Sequence, residues 1–225
     1  MEKLLNTLEK KLRRFAIANL MKFISIGTLA FFVLSFFFRG TVNAMGRETS
    51  FLGLLVLDRA ALFQGQIWRL ISFVFSPPQS SPLFVLLSLY FYYFIGNSLE
   101  GYWGTARFNL YYLIGVVGTI IAALVSGYGA NVYLNYSLFF AFAMLYPDME
   151  VRIFFVLPVK IKYLAYVNAA FFVYSFVIGG FVERAAIVAA LLNFFLFFGG
   201  DFITKIRVKI GSSSTQRNFR RTFKK

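Results

Sequence analysis

The chain has 225 residues, 59% hydrophobic, 20% aromatic and only 14% charged, with a net charge of +14. A soluble domain carries about a quarter charged residues, so the composition excludes an ordinary water-soluble protein and leaves an apolar excess that must face lipid. With neither Cys nor His, disulfides, thiolate nucleophiles, imidazole bases and most zinc or haem sites are also excluded, and no cofactor or metal is expected.

A strongly basic chain fits either nucleic acid or an anionic membrane surface, and the placement of charge decides between them. Six of the 23 Lys and Arg residues lie within 1–22 and eight within 201–225. Basic ends around a greasy middle are the pattern of cytoplasmic flanks on an integral membrane protein. Anionic lipids are therefore expected as partners, and nucleic acid is not.

Residues 1–19 open with MEKLLNTLEKKLRRF, which puts Leu4, Leu5, Leu8, Leu12 and Phe15 on one helical face and Lys3, Lys10, Lys11 and Arg14 elsewhere. This predicts a cytoplasmic amphipathic helix, either lying on anionic lipid or docked on the protein. The basic segment reaching Lys22, followed by a long apolar stretch, fits a signal anchor better than a cleaved leader.

A membrane helix needs about 20 mostly apolar residues, and six spans are predicted. The first lies near 20–38 and is broken by Arg39-Gly40, and the second runs about 82–99, opened by Pro77, Pro78 and Pro82. The third covers about 107–126 and the fourth about 131–147, ending at Pro147-Asp148. The fifth, near 161–179, and the sixth, near 184–200, are each closed by a Gly-Gly pair. Six crossings put both termini on one side, and their basic residues make that side the cytoplasm. Loop 148–162, with Arg152, Lys160 and Lys162, falls inside too.

Residues 39–81 hold FLGLLVLDRAALFQGQIWRLISFVF, too apolar for a solvated loop and too interrupted for a seventh crossing. Short helices in the outer membrane interface would satisfy its backbone. No internal repeat is present. Residues 201–225 form a basic cytoplasmic tail, predicted disordered from Gly211, in which Arg217, Arg220, Arg221, Lys224 and Lys225 are candidate contacts for anionic lipid or a partner. The fold class is an all-α integral membrane protein, with its membrane domain over 20–200.

Two motifs and a third segment carry a resemblance. QIWRL, with Trp68 and Arg69, lies in the large first loop, and IGNSLEGYWGTARF places Gly96, Glu100, Gly104, Arg107 and Phe108 around the turn after the second span. LYPDMEVRIFFVLPVK follows the fourth span. In this order and spacing the chain resembles the rhomboid superfamily, which implies a six-helix bundle with a large interfacial first loop. Within that topology Glu100 is about 30 Å from Arg69 across the hydrocarbon. Its expected partners are instead Arg107 and the free amides at the start of the third span, where the helix dipole favours a carboxylate. Trp103 is expected in the interfacial aromatic belt.

A rhomboid protease requires a Gly-x-Ser-Gly serine on the fourth span and a histidine on the sixth. A serine hydroxyl is a poor nucleophile until a base takes its proton. This chain has neither element. Counting from Glu100 puts Asn135 at the serine position, while counting back from Pro147 puts Val132 there. The family's oxyanion-binding positions correspond to Phe84 and Ser88, and the sixth span offers Asn193 as its polar residue. The resemblance therefore implies a pseudoprotease.

Gly115, Gly118, Ala122 and Ser126 on the third span, and Ala185, Ala189 and Asn193 on the sixth, form seams for helix packing. Ser88, Asn135 and Asn193 form a candidate client cleft, with Asn135 facing Asn193; simple bonding between helices is the alternative. Inactive relatives work in trafficking, quality control and regulation of membrane proteins. The expected function is accordingly binding of transmembrane clients, in a multi-pass protein of a bacterial plasma membrane. A protease with an unrecognised site and a small transporter remain the alternatives.

Overall fold

The computed structural model describes residues 2–38, 41–42, 48–78, 81–153 and 157–198. Its helices are α1 (Glu2–Leu12), α2 (Leu20–Phe37), α3 (Arg59–Phe63), α4 (Arg69–Ser72), α5 (Pro82–Trp103), α6 (Thr105–Ser126), α7 (Val132–Leu145), α8 (Ile161–Ile178) and α9 (Phe181–Phe198). Helices α2, α5, α6, α8 and α9 are each long and apolar enough to cross a membrane, so the chain is an α-helical integral membrane protein with several spans. Helix α7 is apolar but has only 14 residues, about 21 Å of length at 1.5 Å per residue. Its chain leaves helical geometry at Tyr146, just before Pro147.

The long helices alternate in direction. At one end of the bundle the Glu100 carboxylate reaches the start of α2, Tyr102 meets Tyr146 beyond α7, and Trp103 packs on Phe198 of α9. At the other end, residues 51–75 lie against the end of α6 and the start of α7. There β3 (Leu57–Asp58) pairs antiparallel with β4 (Tyr128–Gly129), and the Asn131 amide donates to the carbonyls of Val74 and Ser76 at 2.9 and 2.8 Å. The expected short helices of the first loop are present as α3, α4 and 3₁₀ turns at Phe51–Leu54 and Phe73–Phe75. Elsewhere β1 (Thr41–Val42) pairs with β2 (Glu48–Thr49), and β5 (Glu150–Ile153) with β6 (Leu157–Lys160).

Only Gly104 lies between α5 and α6, at φ 80° and ψ 158°, a region that a residue with a Cβ avoids. The core is aromatic and aliphatic, with Phe73, Ile95, Leu99, Phe108, Tyr111, Leu138 and Phe142 fully enclosed. Helix α8 packs least: along its 18 residues only Ile161 and Phe172 are buried. Helix α1 docks against α6 with Leu5 buried, while Leu8 and Phe15 stay exposed. The tail with Arg217, Arg220, Arg221, Lys224 and Lys225 lies outside the described residues.

Candidate functional site: a buried polar contact between three helices

Helices α6, α7 and α9 meet at three polar side chains. The Tyr111 hydroxyl of α6 donates to the Ser137 carbonyl of α7 at 3.0 Å and shares a short hydrogen bond with the Ser137 hydroxyl. Asn193 of α9 donates its Nδ2 to Ser137 Oγ at 3.3 Å, and its Oδ1 is buried without a partner. Gly115 permits the approach: a Cβ there would meet Leu134 and stand 2.8 Å from Asn193 Nδ2. One helical turn further on, Gly118 faces Ala189. Of the small-residue seams read from the third and sixth spans, Gly115, Gly118, Ala189 and Asn193 lie where α6 and α9 pack.

Asn193 therefore meets Ser137, not Asn135. Two residues on an α-helix are about 200° apart, so Ser137 and Asn135 occupy opposite faces of α7. Asn135 instead lines a cavity of about 10 Å³ with Asn131, Tyr92, Ser25, Thr28 and Ser76, room for about one water molecule. Ser88 lines neither place, and Phe84 is exposed. The cleft expected from Ser88, Asn135 and Asn193 does not form. Both amides are buried, at 5% and 2% exposure, so a client helix cannot touch them from lipid while the bundle stays closed.

The chemistry available at Ser137 is limited. Its partners are a phenol, protonated at neutral pH, and an amide, which is not a base. Neither takes the hydroxyl proton, so this arrangement lacks the activated nucleophile that acyl transfer requires. The contact knits three helices together.

The residues around the 96–108 turn form a brace. Glu100 Oε1 accepts the backbone N–H of Asn19 at 3.0 Å and the Thr105 hydroxyl at 2.8 Å. It thus caps the entry to α2 while bonding the first residue of α6. The expected ion pair with Arg107 does not form: both hydrogen bonds fall on Glu100 Oε1, and Arg107 Nε is buried without a partner. The carboxylate stands at the entry of α2 as well as at the start of α6, and chain spacing nominates only the second. Gly96 lets Met21 of α2 press on the α5 backbone, with the Phe108 ring beside it. Asn109 adds a paired contact, accepting from Ile17 N at 3.0 Å and donating to Ile17 O at 2.9 Å.

Trp103, the last residue of α5, is half-buried, with its ring 5.3 Å from both Tyr111 and Phe198. Aromatic contacts on the bundle side hold it between α6 and α9. Trp68 is exposed, whereas Arg69 is 4% exposed. Arg69 Nη1 donates to Gly53 O at 3.0 Å and Val56 O at 2.7 Å, and its Nε donates to Gln66 Oε1 at 2.8 Å. The guanidinium so satisfies carbonyls in and just after the 3₁₀ turn Phe51–Leu54. Burial lowers its pKa from the ordinary value, opposed by the negative charge of Asp58.

Beyond α7, Asp148 accepts from Lys162 at 2.6 Å and lies 3.8 Å from Lys160. The hydrogen bond from Lys162 and then its charge hold the Asp148 carboxyl below the usual carboxylate range. No group of three or more acidic side chains arranged to hold a metal occurs among the described residues.

Neither a family model, nor a curated protein, nor a solved structure matches the chain.

Proposed function

We propose that the chain is a non-catalytic relative of the rhomboid proteases, a six-span pseudoprotease that binds or regulates transmembrane-protein clients within the bilayer. In this reading α7 is the fourth crossing despite its length, both termini are cytoplasmic, and the membrane is a bacterial plasma membrane. The observation that carries it is the Tyr111–Ser137–Asn193 contact. At the junction of the third, fourth and sixth spans a serine is bonded to groups that cannot take its proton. The family-like residues Glu100, Gly96, Gly104 and Arg69 support the same reading, since each has a bracing role that needs no catalysis. Clients would then be held by the outward apolar faces, because the interior amides are enclosed.

Two measurements on the full chain in its native membrane test this. A reporter-cleavage assay with generic rhomboid substrates should give no cleavage, unchanged by Ser137→Ala. Affinity capture after lipid-permeable crosslinking, followed by mass spectrometry, should enrich particular transmembrane proteins. Serine-dependent cleavage would overturn the non-catalytic assignment, and capture no different from an unrelated six-span control would overturn the client role.

A further inference from the structure

Helices α8 and α9 both lean on α7 but leave a groove of about 700 Å³ between them. On α8 its wall is a continuous stripe at helical spacing, from Lys162 through Ala165 and Ala169 to Phe176. Those 14 steps span about 21 Å, more than the roughly 15 Å that one leaflet contributes to the hydrocarbon. The alanines make the groove deep, with Ala143 of α7 at its floor and Val188 and Leu191 of α9 opposite.

Its polarity is confined to one end. Lys162 is the charged side chain that lines the groove, beside Pro147 where α7 stops. Asp148 steadies the Lys162 ammonium there, with Lys160 as a second cation on the same carboxylate. Glu150 is the cross-strand partner of Lys160, which leaves Lys162 as the cation that the groove itself meets. An apolar channel the length of an acyl chain, with a cation at one end, matches an amphiphile with a negative head.

We infer that the groove between α7, α8 and α9 is a binding site for one anionic phospholipid, its acyl chain along Ala165 and Ala169 and its phosphate at Lys162. A transmembrane helix fits less well. It offers no headgroup to the lysine. The site is independent of whether the protein binds clients.

The full chain, purified in detergent and titrated with phosphatidylglycerol or phosphatidylcholine of identical chains, tests this by native mass spectrometry. Phosphatidylglycerol should be retained about fivefold better, the factor that one lysine beside an anionic headgroup contributes. Lys162→Gln should bring the ratio close to one with the basic tail intact. Ala165→Leu with Ala169→Leu should reduce retention of both lipids by filling the channel. A benzophenone side chain at Val188, photolysed in native membranes, should join to lipid. Equal retention of the two lipids by the wild type would overturn the proposal. So would a preference that both the lysine and the alanine variants leave intact, or a benzophenone adduct with a protein segment.

Discussion

Asn19 gives its backbone N–H to Glu100 across 81 positions of sequence, at 3.0 Å, while its own backbone sits in the left-handed region at φ 54°. This one hydrogen bond fixes where the first span starts relative to the end of the second. Its acceptor is also held by Thr105, so three helices share a single carboxylate oxygen.

Replacing that carboxylate should therefore unsettle one end of the bundle. Glu100→Leu leaves two donors without an acceptor and is expected to cost about 1–3 kcal/mol. Glu100→Gln keeps an acceptor oxygen and loses only the charge, about 0.3–1 kcal/mol at a helix start. Thermal unfolding of the purified protein in detergent should rank wild type above Glu100→Gln, and Glu100→Gln above Glu100→Leu. Equal midpoints for all three would remove the capping role.

Gly96 should be intolerant for a steric reason that a second change can relieve. A Cβ there runs into the Met21 side chain, and overpacking of this kind costs about 1–3 kcal/mol. Gly96→Val should lower stability by that amount, and Met21→Ala in the same chain should restore part of it. Additive losses in a double-mutant cycle would show that the two positions do not press on each other.

Arg69 should hold the first loop together. Arg69→Met strips the carbonyls of Gly53 and Val56 of their donor, an expected loss of about 1–3 kcal/mol. Arg69→Lys, with no planar fork, should recover only part of it. Limited proteolysis between residues 51 and 75 should speed up in the order wild type, Lys, Met.

The Ser137 contact should be energetically modest. Hydrogen bonds between membrane helices average about 0.6 kcal/mol, and Asn193 already carries an unsatisfied oxygen. Ser137→Ala and Asn193→Leu are each expected within about 1 kcal/mol of wild type in denaturant titration. A loss of 3 kcal/mol from either would mean that the contact does far more than join helices.

The Asp148 bridge should respond to acid in one direction. Its carboxyl titrates below the ordinary value in the folded chain, so ionised Asp148 favours the folded hairpin. That contribution is complete above about pH 4, the unperturbed carboxylate range, and disappears as pH falls through the lower folded value. Hydrogen exchange at the amides of Ile161 and Lys162, which bond Met149 and Pro147, should keep its protection at pH 5 and weaken in strong acid. Asp148→Asn should behave at pH 5 as the wild type does in strong acid.

Where elements begin and end was legible along the chain to within a few residues. The prolines before α5, Pro147 after α7 and the Gly179-Gly180 pair after α8 punctuate apolar runs, and each run became a helix. Pairings between distant segments were not legible. The two-residue β3–β4 ladder joins Leu57 to Gly129 and leaves no periodic trace in either segment. The acceptor role of Glu100 toward Asn19 involves a backbone amide, which every residue but proline possesses and none advertises. Counting along α7 fixes position to about a turn but not rotation, so the sequence sets Asn193 opposite Asn135. A shift of two residues brought Ser137 to the interface in its stead.

Gly104 has a consequence for how the chain reaches its membrane. With one residue joining α5 to α6, no slack exists for the first of these helices to settle before the second emerges. The pair is a closed hairpin whose tip, Glu100 included, stays at one face of the bilayer.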